Sequence, residues 1–214
     1  MTRAGQKIKP VTLRIIAGKW RSRLIQAPAP PVTRPMPDRV KAALFNSLGS
    51  RFGTPGELPP LAVADLFCGG GTLGLEAVSR GAARCVFFEH DPEALRIIRS
   101  NLQLLEGGAD LVIVPGDTYE LAVRPKQARG PFDLLLLDPP YTDSQDRSTE
   151  SPLVTLMRRL GGPKLSNPEA VLMLHHRRGT SYASIPVGVW QLDDERHYGS
   201  TLISFFSKSA PRAD

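Results

Sequence analysis

The residues in this chain with the clearest chemical capacity are Asp138-Pro139-Pro140-Tyr141. Phe132 to Leu137 leads into them as a short, mostly apolar run, the pattern of a strand buried on both faces. Two prolines then stop that strand, because neither can donate to a ladder and each fixes its own φ. The outcome is a stiff corner at the carboxyl end of a central strand, where open α/β sheets receive their ligands. That corner offers a carboxylate, carbonyls freed from the sheet and an aromatic ring. A planar base with an exocyclic amine needs this set: acceptors for its N–H groups and a face to stack on. Alone, the tetrapeptide would also serve as an ordinary strand-to-loop turn.

A second motif favours a site. Leu61 to Phe67 reads as another buried strand, followed by Cys68-Gly69-Gly70-Gly71-Thr72-Leu73-Gly74 and a helical stretch. Gly69, Gly71 and Gly74 have the G-x-G-x-x-G spacing of nucleotide-binding turns, and Glu89 ends the next strand where a ribose-binding acid is expected. The glycines would suit a dinucleotide equally well, so an NAD-linked oxidoreductase stays open on them alone. Asp65 weighs against it, since a carboxylate just before the turn is a poor neighbour for pyrophosphate. S-adenosylmethionine carries an ammonium and a sulfonium instead, and an acid suits both. No Gly-Lys-Ser/Thr follows the glycines, which excludes a P-loop.

The run from Asp65 to Ala77, Ser79-Arg80-Gly81-Ala82 and the Asp138–Tyr141 corner together resemble the RsmD-type 16S ribosomal RNA guanine-N2 methyltransferases. The likeness extends to Arg14-Ile15-Ile16-Ala17-Gly18-Lys19-Trp20-Arg21-Ser22-Arg23, Thr33-Arg34-Pro35, Asp38-Arg39-Val40, Leu44-Phe45-Asn46 and Tyr198-Gly199-Ser200-Thr201, roughly residues 13 to 206. The glycine turn and the corner belong to many S-adenosylmethionine enzymes; the upstream segments are the specific part. Four positions depart from the family pattern. Cys68 stands where Ala or another small residue is usual, Gly70 for Ser or Thr, Met36 for Thr, and Ser22 for Gly.

The resemblance implies a Rossmann-like class I methyltransferase fold, α/β with a seven-stranded, mostly parallel sheet, its last strand antiparallel. Toward the cofactor it implies backbone contacts at Gly69 to Gly71 beside Phe67 and Gly74, and Asp65 near the ammonium. Glu89 would accept from the ribose, His90 pack on adenine, and Asp117 with Thr118 meet the adenine amine. Each has a plainer alternative: a solvated loop acid for Glu89, a helix N-cap for Asp117, tight turns for the glycines. For catalysis, Asp138 and the Pro139 carbonyl would hold the guanine amine while Tyr141 stacks on a base flipped into the corner. No metal is needed. An adenine-N6 methyltransferase of DNA or RNA remains the nearest alternative, because the corner reads an exocyclic amine rather than a particular purine. A protein-glutamine methyltransferase fits the basic N-terminal region poorly, and a non-catalytic RNA-binding assembly factor on the same scaffold fits the intact Asp138 and Tyr141 poorly.

The elements that must position these groups follow from periodicity. From residue 61 the chain alternates strands (61–67, 83–88, 110–114, 132–137, 169–175) with helices (72–80, 92–105, 118–127, 151–160), which predicts a parallel sheet covered on both faces. Strands at 188–194 and 199–207 would complete it. Asp91 is a good N-cap for the second helix, with Pro92 at its first position. His175 and His176 lie adjacent on one strand, so they point to opposite faces and read as satisfied or exposed rather than as metal ligands.

Charge is uneven. Residues 1–51 carry eleven Lys or Arg against the single acid Asp38, net +10, whereas residues 52–214 carry net −4. Such a patch is the footprint of a polyanion. Thr12 to Ala17 reads as a strand that turns at Gly18, and Lys19, Arg21 and Arg23 alternate as if on one face of a second strand with Trp20 packed behind. With Arg14, Arg34 and Arg39 they form the candidate RNA-binding set. A solubilising edge would show similar charges. A proline-rich stretch, 27–37, precedes a helix over 38–49. The expected organisation is a basic hairpin-and-helix extension (1–51), a linker (52–60), a methyltransferase domain (61–208) and a short tail (209–214). Two cysteines are too few for a disulfide framework or zinc site, no apolar run approaches the ~20 residues that span a bilayer, and the basic start leads to no apolar signal region. A cytoplasmic protein acting on ribosomal RNA, within a small-subunit particle, is the expectation.

Overall fold

The computed structural model describes residues 10–29, 36–105 and 109–209. β1 (Val11–Arg14) and β2 (Leu24–Ala27) pair antiparallel, with Val11 opposite Ala27 and Arg14 opposite Leu24. After α1 (Asp38–Arg51) come β3 (Ala62–Leu66), α2 (Thr72–Ser79), β4 (Arg84–Glu89), α3 (Pro92–Leu104) and β5 (Asp110–Pro115). Two short helices, α4 (Thr118–Leu121) and α5 (Pro125–Ala128), lead to β6 (Phe132–Leu137), α6 (Pro152–Leu160), β7 (Ser166–Arg177), β8 (Trp190–Tyr198) and β9 (Thr201–Lys208). The seven strands from β3 onward form one sheet in the order β5-β4-β3-β6-β7-β9-β8. Neighbours from β5 to β7 run parallel, and β9 is antiparallel to both β7 and β8.

Side-chain alternation divides the core. On one face Val63, Leu134, Leu136, Met173 and Phe205 pack with Leu44, Phe45 and Leu48 of α1, Leu75 and Val78 of α2, and Ile98 of α3. On the other, Ala64, Leu66, Leu135, Leu137, Leu172 and Leu174 pack with Leu153, Leu156, Met157 and Leu160 of α6. Each of these large side chains contributes about 1.5–3 kcal/mol on burial. Ile15, Trp20, Ile25 and Met36 join the first face, so its core runs unbroken into the N-terminal segment. No helix among the described residues is long and apolar enough to cross a membrane.

The expected helix over 118–127 divides into α4 and α5. Pro125 explains the division, since it has no N–H for a continuing helix and sits well only at a first position.

The N-terminal hairpin differs more. Its strands are shorter and farther apart than the alternation predicts, and Lys19 to Arg23 lies in the turn, not on a strand. The cause is distant in sequence. Ile16 and Ala17 donate their N–H groups to the Glu76 carboxylate (2.8 and 3.1 Å), while Lys19 donates to the Ser79 carbonyl (2.8 Å) and Trp20 to Ser79 Oγ (2.9 Å). Helix α2 thus takes the donors that a strand ladder would have used. Gly18, at φ +80°, permits this contact: a Cβ there would fall 1.8 Å from the Ser79 carbonyl oxygen. Ser22, where the family resemblance leads one to expect glycine, adopts φ +66°, a left-handed conformation costly to a side chain.

Candidate active site

One cavity of about 510 Å³ opens at the carboxyl ends of β3, β4 and β6, a volume ordinary for a small-molecule site. It lies where the strand order reverses between β3 and β6. Phe67, Cys68, Gly69 and Gly70 come from the turn after β3; Glu89, His90 and Asp91 follow β4. Asp138, Pro139, Pro140, Tyr141 and Thr142 follow β6, while Ala27, Pro28 and Met36 from the N-terminal segment complete the wall. The glycine turn and the proline corner therefore share one cavity.

Glu89 joins two of these turns. Its Oε2 accepts from Gly69 N, and its Oε1 accepts from His90 N and Asp91 N, all at 2.8 Å. The residue is only 7% exposed, so the solvated-acid alternative falls away. His90 is the opposite case, with a largely exposed ring whose Nδ1 is 3.5 Å from Glu89 Oε1. Asp91 caps α3 as expected, accepting from Ala94 N at 2.8 Å. Phe67 has φ +61°, a strained value for a bulky residue, and its ring meets Tyr119 edge-on at 5.1 Å.

Five expected cofactor residues lie outside the cavity wall. Asp65 is buried behind the glycine turn, where its Oδ2 accepts from Gly74 N at 2.8 Å and its Oδ1 has no partner. Burial pushes its carboxyl well above the usual carboxylate range, opposed by the Gly74 N–H. The expected ammonium contact thus gives way to a role in holding α2 against β3. Gly74 serves the same packing, because a Cβ would come within 2.5 Å of the Phe87 ring and 2.6 Å of Cys85 Sγ. Gly71 starts α2 in a left-handed conformation, tight against Ile98. Asp117 caps α4 by accepting from Tyr119 N at 2.8 Å, which is its plainer alternative. Thr118 is buried beside it with Oγ1 unpaired.

Gly70 does line the cavity, and its lack of a side chain has a visible cause. A Cβ would stand 2.6 Å from the Gln26 carbonyl oxygen of β2. Asn101 of α3 fixes that approach: its Nδ2 donates to the carbonyls of Gln26 and Gly70 (2.8 Å each), and its Oδ1 accepts from Gln26 N (2.9 Å). Cys68 and Cys85 are both buried free thiols, pushed well up by desolvation.

The proline corner is held from behind. Asp138 N donates to the Leu66 carbonyl at 3.3 Å, extending the β3–β6 ladder by one residue. Asp138 Oδ1 lies 2.8 Å from His175 Nδ1, and the His175 ring meets Tyr141 edge-on at 5.8 Å. The expectation that the two histidines face opposite sides is met. His176 bonds Thr180 Oγ1 (2.9 Å) and Ser204 Oγ (2.7 Å), and burial lowers its pKa to about 4. The sequence reading missed that the partner of His175 is the corner aspartate. A signal existed: Asp138 and His175 each follow the last leucine of adjacent parallel strands, Leu137 and Leu174, which pair in register. Past the corner, Tyr119 O–H donates to Asp143 Oδ2 at 2.6 Å; burial and that bond push the phenol far up, so it stays a donor.

Among the candidate RNA-binding residues, Lys19, Arg21, Arg23 and Arg39 are exposed. Lys19 Nζ sits 4.6 Å above the ring of buried Trp20. Arg14 pairs with Asp38 at 2.9 Å. Arg34 lies outside the described residues.

The family model described as "Conserved hypothetical protein 95" matches residues 13–207. The chain belongs to this family. It is the RsmD-type family that the sequence resembles, and its named members include similar proteins over nearly the whole length. The "Putative rRNA methyltransferase YlbH" of Bacillus subtilis is 29% identical over 196 residues, covering 92% of this chain and 99% of that relative. The "Ribosomal RNA small subunit methyltransferase D" of Escherichia coli K12 is 29% identical over 198 residues, covering 92% and 91%. Among solved structures, a putative methyltransferase from Escherichia coli, yhhF, superposes with a TM-score of 0.75 at 26% identity, covering 94% of this chain and all of that one. The family fold is the Rossmann-like class I methyltransferase fold, as expected.

Proposed function

We propose that this protein transfers a methyl group from S-adenosylmethionine to the exocyclic N2 amine of a guanine in small-subunit ribosomal RNA. The observation that carries this reading is the single cavity lined both by the Gly69–Glu89 pair and by the Asp138–Tyr141 corner. The names of the relatives from Bacillus subtilis and Escherichia coli support the ribosomal substrate.

The residues present fit the cofactor. Gly69, without a Cβ and at φ +54°, leaves the turn open to a ligand along its backbone. Glu89 is fixed by three backbone donors and keeps carboxylate lone pairs for ribose hydroxyls. His90 and Phe67 offer ring surfaces for adenine. Once bound, S-adenosylmethionine supplies an electrophilic methyl on a cationic sulfonium.

The chain's own residues orient the nucleophile. Guanine N2 is weakly nucleophilic because its lone pair is delocalised into the ring. Asp138 and the Pro139 carbonyl accept its two N–H bonds and turn the lone pair toward the methyl. Positive charge grows on nitrogen as the methyl leaves a neutral thioether behind, and the Asp138 carboxylate stabilises that charge and can accept the proton the nitrogen then loses. Tyr141 stacks on the base and removes its rotational freedom. A base within a helix cannot enter the corner, so the target is flipped or lies in a loop. Lys19, Arg21, Arg23 and Arg39 hold the phosphates, on the same segment that brings Ala27, Pro28 and Met36 to the cavity wall.

The deciding experiment transfers labelled methyl groups to small-subunit particles from cells lacking this protein, followed by nucleoside analysis. N2-methylguanosine is the expected product. N6-methyladenosine would reassign the base, and absence of label would remove the activity.

A further inference from the structure

We infer that His175 is a positioning residue for the methyl transfer, holding the Asp138 carboxylate and the Tyr141 ring in their working orientations; the inference rests on the function proposed above. Four observations support it. Leu137 and Leu174 are register partners at the end of the β6–β7 ladder, so the next residues, Asp138 and His175, stand side by side. Leu134 and Leu136 share one face of the sheet with Val171 and Met173, and the two-residue period carries Asp138 and His175 onto that same face. Nδ1 of His175 is 2.8 Å from Asp138 Oδ1, while the ring packs edge-on against Tyr141 at 5.8 Å. The His175 side chain is only 4% exposed and does not line the cavity, whereas Asp138 keeps 32% of its side chain exposed and does. His175 thus stands behind both groups assigned to the base and touches each.

The consequences are chemical. A carboxylate oxygen only accepts, so Nδ1 carries the proton and the imidazole tautomer is set by this bond. Oδ1 is thereby committed to His175, and Oδ2 remains as the oxygen for the guanine amine. Without the histidine, the carboxylate would rotate about its Cβ–Cγ bond, and a small misplacement at a reacting centre lowers the rate steeply. The histidine touches neither base nor cofactor. Its removal should therefore lower kcat and leave both binding steps largely intact.

The test compares His175→Ala, His175→Asn and His175→Gln in the full chain. Readouts are kcat and RNA KM on small-subunit particles, S-adenosylmethionine Kd by calorimetry, and thermal unfolding. An asparagine amide nitrogen falls near the place of Nδ1, whereas the longer glutamine carries its amide past it. A misplacement of about 1 Å at a reacting centre can cost about 100-fold, so His175→Ala and His175→Gln should lose about 10–100-fold in kcat, with Kd and KM within about threefold. His175→Asn should recover most of the loss. A second readout needs no activity: imidazole ¹⁵N shifts should report the Nδ1–H form in the unaltered protein and lose it in Asp138→Ala. Unchanged kcat in His175→Ala overturns the inference. So does equal loss in the Asn and Ala variants when both unfold at the parent temperature, or an Nε2–H tautomer in the parent. If the unaltered protein transfers no methyl to RNA, the proposed function itself fails, which is a separate outcome from an active parent indifferent to His175.

Discussion

The carboxyl edge of the sheet and the N-terminal segment are built from opposite uses of the same groups. At the sheet edge, backbone N–H groups of Gly69, His90 and Asp91 are held by Glu89, which leaves side chains directed at a shared cavity. In the segment over residues 15–23, backbone N–H groups are held by Glu76 and Ser79 of α2, which leaves the charged side chains facing solvent. One carboxylate organises each region. The difference is what the fixed backbone then presents: a concave wall shared by the glycine turn and the proline corner, or an exposed row of cationic side chains.

Substitutions can break this contrast in order of effect. The largest belongs to Asp138: Asp138→Ala should lower methyl transfer about 100- to 1,000-fold, while S-adenosylmethionine affinity by calorimetry stays within about tenfold. Next is the clasp beneath the N-terminal segment. Glu76 and Arg80 form a buried pair at 2.9 Å, and Glu76 also holds the Ile16 and Ala17 donors. Glu76→Ala should destabilise the fold by about 3–5 kcal/mol in urea unfolding, with equal loss of the hairpin and core signals.

The concave side has its own anchor. Glu89→Ala should raise the S-adenosylmethionine Kd about 10–100-fold, whereas Asp65→Asn, outside the cavity, should leave Kd within about threefold. Equal effects from both would return Asp65 to the ligand. Replacing Lys19, Arg21 and Arg23 by alanine should reduce the slope of log K for RNA against log salt by about 2, without changing S-adenosylmethionine affinity. An unchanged slope would make these cations a solubilising face. The smallest effect is Ser22→Gly, which relieves a left-handed φ of +66° and should stabilise the fold by about 1 kcal/mol in thermal unfolding.

The two regions also differ in how legible they are. The strands β3 to β6 are readable because each is a short, mostly apolar run closed by glycine, acid or proline, and local chemistry decides those ends. Asp91 before Pro92 marked α3 in the same way. Spacing located the glycine turn but could not say which way each residue points. Asp65 and Gly74 turn inward to each other, and Gly69 alone of the three spaced glycines reaches the cavity. The hairpin departs from its sequence pattern for a different reason. Alternating cations at 19, 21 and 23 imitate a strand, yet the partners of Ile16, Ala17, Lys19 and Trp20 lie some sixty residues away on α2. The partner of His175 is set by inter-strand register, which the pattern of one strand alone does not contain.

Asn101 gives this architecture a practical consequence. One amide grips both Gln26 of the hairpin and the carbonyl of Gly70, and Gln26 in turn leaves no room for a side chain on that glycine. A trimmed fragment starting at residue 61 would not be a minimal enzyme. It would take Gln26 from Asn101 and the Ile16 and Ala17 donors from Glu76, uncover the apolar face that Ile15, Trp20 and Ile25 shield, and leave the glycine turn without its outer brace. Exchanging the N-terminal segment between relatives would therefore also require matching the residue at position 70.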